Sequence, residues 1–138
     1  MKQNYLKGFD GVMSLLSKLQ RLVQRCDKEL TELLEANEIQ FFHFAFRWLF
    51  CLLLREFPAD LAIVLLDYYL VEDLPPDELS VYLAAALLLR FSRHVKVLER
   101  EEMVSFMQNL PTSGWGEQDI RLMVSEAFTL RSLFSEIT

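Results

Sequence analysis

Apolar residues along the chain recur with the period of an α-helix. Between residues 9 and 23, and again between 120 and 134, they are spaced by three and four positions, which places them on one helix face. No segment shows the sustained alternation or the β-branched enrichment of a strand. The pattern predicts an all-α fold of about seven helices. These apolar positions are Phe9, Val12, Leu16, Leu19 and Val23, and then Ile120, Met123, Ala127, Leu130 and Phe134.

Capping and turn residues predict where the helices begin and end. The segment 4–12 is predicted to be an entry segment in which Gly8 and Gly11 weaken the helix. Asp27 is a predicted N-cap for a second, shorter helix, and Asn37 is a predicted stop. The later predicted elements are a helix over 59–71 with Leu61, Val64, Leu65 and Tyr68 on one face, a loop over 72–77, a helix from Asp77 or Ser80 to Leu89, a helix over 98–109, a turn over 111–116 and a helix over 117–134.

The third predicted helix, residues 38–57, is the most unusual because its apolar side chains point all round the axis. A helix that is apolar on every side is surrounded by other helices. Residues 38–57 are therefore predicted to be the central helix of the bundle, ended by Pro58. Its most apolar stretch, 39–54, carries His43 and Arg47 and is shorter than the ~20 residues of a membrane span, so no membrane insertion is expected.

Composition and charge narrow the classes of function. The chain has 138 residues, 52% of them hydrophobic, which suits a single helical lobe over 1–138 with its own core. A formal net charge of −6 disfavours nucleic acid and anionic lipid as partners. Cys26 and Cys51 lack metal-ligand spacing and indicate core packing in a reducing compartment. Two basic groups are interpreted as solvated faces, namely Lys18, Arg21 and Arg25, and then Arg90, Arg93, His94 and Lys96.

No residue pattern predicts a catalytic group, a cofactor or a metal site. Neither His43 nor His94 is grouped with Cys or Ser in a known spacing, and His43 is interpreted as a satisfied core histidine. Neither glycine-rich phosphate loop occurs. Glu99, Glu101 and Glu102 face different ways on a helix, so they are interpreted as a solvated helix start.

Charged residues inside the apolar helices are more informative, because a buried charge needs a partner or a route to water. Arg47 or Arg55 is predicted to pair with Glu56 or Asp67 and so to clamp the third helix to the fourth. The alternative is that one of the arginines is presented to a ligand phosphate.

These same residues carry a family resemblance. Residues 44–48 read FAFRW and residues 52–57 read LLLREF; 65–70 read LLDYYL, 109–112 read NLPT before Trp115, and 125–128 read SEAF. The order and spacing of these motifs, together with Asn4, Tyr5 and Gly11, resemble the carboxy-terminal half of a TBC domain over roughly residues 4–135. Such domains occur in Rab GTPase-activating proteins, and the resemblance is to the small, single-domain Gyp type. The resemblance implies structural roles for Phe46, Arg47, Trp48, Arg55, Glu56, Asp67, Pro111 and Trp115.

The sequence departs from the family pattern in two ways. Leu66 replaces a tryptophan, and Val64 stands where an arginine is common. More importantly, the arginine and glutamine fingers that the resemblance implies, in IxxDxxR and YxQ motifs of the amino-terminal half, do not occur here. An arginine finger contributes ~10³–10⁵ in rate in related GTPases. The chain alone is therefore expected not to activate a GTPase.

The resemblance implies one function, and the missing fingers leave a second open. The first is the carboxy-terminal lobe of a Rab GTPase-activating domain, with a Rab GTPase and an amino-terminal lobe as partners and a role in vesicle trafficking. The second is an independent helical adaptor that kept the fold without the activity. For the first, an exposed apolar face is expected where the other lobe sits, with dimerisation through it as a further expectation. The implied location is cytoplasmic, at endomembranes through the Rab.

Overall fold

All regular secondary structure in the described part of the protein is helical. The computed structural model describes the backbone of residues 2–134 and the side chains of residues 11–134. Within these residues there are eight α-helices, one short 3-10 helix and no strand, so the predicted all-α fold is confirmed. The helices are α1 (Lys2–Cys26), α2 (Lys28–Ala36), α3 (Phe41–Phe50), α4 (Ala59–Val71), α5 (Pro76–Arg90), α6 (Ser92–Val95), α7 (Arg100–Gln108) and α8 (Glu117–Phe134), and the 3-10 helix is Leu54–Glu56.

The first helix begins earlier than its glycines suggest. The predicted entry segment 4–12 is wrong, because α1 is continuous from Lys2. A glycine inside a helix costs about 1 kcal/mol relative to alanine. That cost is outweighed by the burial of Leu16, Leu19 and Val23 along the same helix. The side chains of Asn4, Tyr5 and Phe9, which were part of the predictions, lie outside the described residues.

The caps of α2 are confirmed. The Asp27 carboxylate accepts a hydrogen bond of 3.1 Å from the backbone amide of Leu30, and Asn37 follows the helix as its C-cap. Asp27 also accepts hydrogen bonds from the hydroxyl of Ser92 and from the Lys96 ammonium, at 2.5 and 3.0 Å. The N-cap therefore also connects α2 to α6 and the residue that follows it.

The central helix is α5 and not the predicted helix 38–57. Ten consecutive residues of α5, 79–88, are buried, and α5 packs against α1, α3 and α8. Ala84, Ala85 and Ala86 are small enough to let these neighbours approach closely. Because no charged residue lies between Glu78 and Arg90, every side of this part of the helix can be covered without burying a charge.

Helix α3 covers only half of its predicted range. It begins at Phe41, after the left-handed Glu38 (φ 59°), and ends at Phe50. Leu52 and Leu53 then have φ values of 54° and 65°, and the amide of Leu53 donates to the carbonyl of Trp48 at 2.6 Å. This left-handed turn redirects the chain after α3. The buried residues of α3 all lie on one side of the helix; they are Phe41, Phe44, Ala45, Trp48 and Leu49.

The remaining elements agree with the sequence to differing degrees. The bounds of α4 and α8 are as predicted, but α5 begins at Pro76, a residue favoured in the first turn of a helix. The predicted helix 98–109 is shortened to α7, and the one-turn helix α6 before it was not predicted. On α4 the buried residues are Leu61, Leu65 and Tyr69, whereas the predicted Val64 and Tyr68 are half-buried.

Candidate functional site

Arg47 and Glu56 form a bidentate ion pair at the end of α3. The Arg47 Nε and Nη2 atoms donate to the Glu56 Oε2 and Oε1 atoms at 3.1 and 2.8 Å. The Glu56 side chain is 2% exposed, whereas that of Arg47 is 44% exposed and reaches water. The hydrogen bonds to Glu56 raise the pKa of Arg47 above its ordinary value. The pair neutralises a carboxylate that would otherwise be buried alone.

Two further contacts extend this pair to the end of α7. Arg47 Nη2 also donates to the carbonyl of Gln108 at 3.0 Å, at the last residue of that helix. Carbonyls in the last turn of a helix lack intrahelical partners, and a cation stabilises them. The buried Thr112 hydroxyl donates to the Glu56 backbone carbonyl. The predicted clamp therefore exists, but it joins α3 to the 3-10 helix and α7; the expectation that it joins the third and fourth helices is wrong.

Trp115 lies beside this clamp in a second cluster of side chains. Its ring is 5.6 Å from that of Phe57 and is stacked 5.9 Å from that of Phe91. The guanidinium of Arg90 lies 4.8 Å from the centre of the Trp115 ring and donates a 2.8 Å hydrogen bond to Asp119. This cation–π contact and ion pair hold the turn before α8 against the end of α5.

The other residues singled out from sequence are more exposed than expected. Arg55 and Asp67 are both exposed and form no ion pair within the described residues. Pro111 is also exposed. His43 is exposed too, so its interpretation as a core histidine is wrong; it points away from the core because α3 buries only one side. Cys26 and Cys51 are half-buried free thiols.

The side of α3 that faces away from the core carries a row of phenylalanine rings. Phe42, Phe46 and Phe50 are four positions apart, with ring centres separated by 5.3 and 5.7 Å. Phe42 is 42% exposed and Phe50 61%. A groove of about 500 Å³ between α3 and α7 runs beside this row, and another of about 750 Å³ lies between Phe42 and Met13 of α1. We call Phe42, Phe46 and Phe50 the outer face of α3.

The arrangement offers structural groups more than reactive ones. Arg47 is held by two acceptors of the protein, which favours the clamp over presentation to a phosphate. Among the described side chains, those of residues 11–134, no three His, Cys, Asp or Glu gather to hold a metal ion. No helix of the described backbone, residues 2–134, is both long and apolar enough to cross a membrane.

The sequence of this chain matches a known family. A family model described as the Rab-GTPase-TBC domain matches residues 1–96. The chain belongs to the Rab-GTPase-TBC domain family. GTPase-activating protein gyp1 of Schizosaccharomyces pombe is 32% identical over 136 residues, which are 98% of this chain and 26% of the relative. TBC1 domain family member 22A of Mus musculus is 34% identical over 137 residues, 99% of this chain and 27% of the relative.

A solved member of the Rab-GTPase-TBC family has the same fold. The crystal structure of the Ypt/Rab-GAP domain of Gyp1p superposes with a TM-score of 0.86 at 36% identity, and the match covers 89% of this chain and 38% of that one. The predicted resemblance to Gyp-type TBC domains is therefore confirmed. The chain spans about a quarter of the length of the curated relatives it matches.

Sequence reasoning missed two contributors to the clamp and one residue of the Trp115 cluster beside it. Thr112 was quoted within a family motif, but its hydrogen bond to the Glu56 backbone carbonyl joins positions 56 residues apart, and no local pattern indicates it. The Gln108 carbonyl is a backbone group and carries no sequence signal. Arg90 was assigned to a solvated face, yet it pairs with Asp119. The available sequence signal is the position of Arg90, which lies between the end of an apolar helix and Phe91 and therefore close to the core.

Proposed function

We propose that this chain is the carboxy-terminal lobe of a Rab GTPase-activating domain, folded as one unit over residues 1–138. The likeness to the Ypt/Rab-GAP domain of Gyp1p carries this proposal. In it, the lobe braces an amino-terminal lobe that supplies the groups acting on GTP, and the complete domain accelerates hydrolysis on a Rab GTPase. The protein works in vesicle trafficking from the cytoplasm, and its Rab partner brings it to endomembranes.

The lobe alone does not activate a Rab. Its sequence contains neither an IxxDxxR nor a YxQ motif. Arg47 cannot replace a finger without leaving the Glu56 carboxylate buried and unpaired, which costs roughly 3–5 kcal/mol for a fully buried pair. Catalysis by electrostatic stabilisation needs a group aimed at the transferred phosphoryl, so a lobe without such a group contributes binding and support only.

The outer face of α3 is where the amino-terminal lobe packs in this proposal. A helix that is apolar all round is normally covered on every side, as α5 is here. Helix α3 also carries apolar side chains around its axis, with His43 and Arg47 among them, but Phe42 and Phe50 remain exposed. Permanent interfaces resemble a domain core cut in two, and a row of exposed aromatic rings fits that description.

A GTP hydrolysis assay tests the proposed function. The chain alone should leave the hydrolysis rate of any Rab at its intrinsic value. A chimera that joins the amino-terminal part of the Schizosaccharomyces pombe gyp1 domain to this chain should stimulate hydrolysis, because the chain is 32% identical to that relative over 98% of its own length. Stimulation by the chain alone would overturn the inactive assignment. A folded chimera without activity, beside an active intact gyp1 domain, would overturn the bracing role.

A further inference from the structure

Helix α4 exposes a second apolar surface, of a different character from the outer face of α3. Ile63, Leu66, Leu70 and Val71 are between 40% and 74% exposed. The first three occupy positions i, i+3 and i+7, so they form one stripe about 10 Å long at 1.5 Å per residue. The opposite side of α4 is buried through Leu61, Leu65 and Tyr69.

The charged residues of α4 and of the segment after it, up to the first turn of α5, are all carboxylates. Residues 57–89 contain six acidic side chains and no lysine, arginine or histidine; the acids are Asp60, Asp67, Glu72, Asp73, Asp77 and Glu78. Asp60 and Asp67 lie three positions before and four positions after Ile63, so both are its neighbours on the helix surface. Glu72 and Asp73 follow α4 directly, and Asp77 and Glu78 lie in the first turn of α5.

These carboxylates are unpaired, in contrast to acids elsewhere in the lobe. Glu56, Asp119 and Asp27 pair with Arg47, Arg90 and Lys96. Within the described residues, none of the six acids of 57–89 takes part in an ion pair. The charge here is therefore left for a partner or for solvent. We call Asp60, Ile63, Leu66, Asp67, Leu70 and Val71 the α4 surface.

We propose that the α4 surface docks a basic amphipathic helix of a partner protein. The stripe matches the aliphatic face of a short helix, and the flanking carboxylates match lysines or arginines along its edge. The same negative charge repels phosphate-rich partners, which disfavours anionic lipid and nucleic acid. A charged rim gives fast, salt-sensitive and reversible association. This surface lies on a different helix from the outer face of α3.

Three synthetic peptides test the pairing of charge and apolar surface. The probe is a fluorescent helical peptide of leucine and lysine with leucines at positions i, i+3, i+4 and i+7. One control replaces every lysine by glutamate, and the other replaces every leucine by serine. Anisotropy with the chain should show binding of the leucine–lysine peptide alone, weakened as salt rises from low to physiological concentration. Equal binding of the serine–lysine peptide would overturn the proposal, since charge alone would then explain it.

Variants of the chain locate the binding. Leu70→Ser should weaken the leucine–lysine peptide about tenfold, as the loss of a buried leucine contact predicts. The double variant Asp60→Asn/Asp67→Asn should weaken it about fivefold, because exposed charges contribute modestly to binding. The matched controls Val97→Ser and Glu101→Gln, both exposed and outside the α4 surface, should bind as the parent does.

Three further results would overturn the proposal. They are the absence of peptide binding, equal weakening by the Val97 and Glu101 controls, and self-association of the chain that Asp60→Asn/Asp67→Asn abolishes. The last would mean that the basic face of α1 in a second copy occupies the surface. Sedimentation of the chain without peptide distinguishes it. None of these measurements involves GTP hydrolysis, so their outcome is independent of the proposed Rab-directed function.

Discussion

Arg47 and Glu56 are nine positions apart, yet two hydrogen bonds of 3.1 and 2.8 Å join their side chains. This is more than two helical turns, and an unbroken helix would carry the two residues away from each other. The left-handed Leu52 and Leu53 turn the chain back, so that the 3-10 helix presents Glu56 to the end of α3. The ion pair thus depends on the turn that precedes it.

Because Glu56 is buried and Arg47 is half-exposed, replacing Arg47 should lower the free energy of unfolding more than replacing Glu56. Arg47→Ala leaves a nearly buried carboxylate alone and should destabilise by about 3 kcal/mol, whereas Glu56→Ala leaves an arginine that reaches water and should cost about 2 kcal/mol. Urea denaturation monitored by circular dichroism measures both. Arg121→Ala removes an exposed i,i+4 pair with Glu117 and should cost less than about 0.5 kcal/mol. The clamp would lose its importance if all three variants unfolded alike.

The sequence predicted those helices whose ends carry local signals. The caps of α2, the proline before α4 and the bounds of α8 are encoded in residues next to the boundary. The end of α3 is not, because Leu52 and Leu53 adopt left-handed conformations that glycine or asparagine normally signals. Tertiary contacts hold this turn, such as the 2.9 Å hydrogen bond from the Tyr69 hydroxyl to the Leu52 carbonyl.

The central helix and the clamp partners depended on contacts distant in sequence. An all-round apolar pattern does not distinguish a helix that this chain covers, such as α5, from one with a side left open, such as α3. Likewise, the sequence offers both Glu56 and Asp67 as partners for Arg47, and the left-handed turn selects Glu56 by bringing it to the end of α3. The second acceptor of Arg47, the Gln108 carbonyl, is 61 residues away along the chain.

Glu38 offers a stabilising substitution. It is exposed, has a φ of 59° and directly follows the C-cap of α2. A non-glycine residue in this conformation destabilises the fold by roughly 1–2 kcal/mol. Replacing it by glycine removes this strain, but part of the gain is lost because glycine makes the unfolded chain more flexible. Glu38→Gly should therefore stabilise the protein by about 0.5–1 kcal/mol in thermal or urea denaturation. Glu35→Gly, three residues earlier inside α2, should destabilise by about 1 kcal/mol. Loss of stability in both variants would contradict the conformational argument.

Asp27 should make the stability of the protein fall in acid. Partial burial opposes its ionisation, but hydrogen bonds from Ser92, Lys96 and the Leu30 amide outweigh this and lower its pKa. A carboxyl with a lowered folded pKa stabilises the fold above its unfolded pKa of about 3.9, and this contribution is lost as pH falls through the folded value.

The Asp27→Asn variant isolates this contribution, because asparagine can still cap α2. The variant should be less stable than the parent at pH 7 and at pH 5, and the difference should shrink below about pH 4, as Asp27 of the parent takes up its proton. Urea denaturation at several pH values measures it. Asp73→Asn, at an exposed acid without an ion pair, should show no such trend. A constant difference between Asp27→Asn and the parent at all pH values would assign the loss to packing instead.

The outer face of α3 should make the isolated chain bind apolar dyes and associate with itself, because Phe42 and Phe50 expose aromatic surface that α1 and α7 do not cover. Phe50→Ser should reduce both the fluorescence of an apolar dye and the apparent mass in sedimentation, while changing the free energy of unfolding by less than about 0.5 kcal/mol. Leu133→Ser on α8, which removes another exposed apolar side chain, should change neither. If the parent chain is monomeric and binds no dye, the outer face of α3 is not an uncovered interface. A surface that another lobe normally covers must be accessible when that lobe is absent.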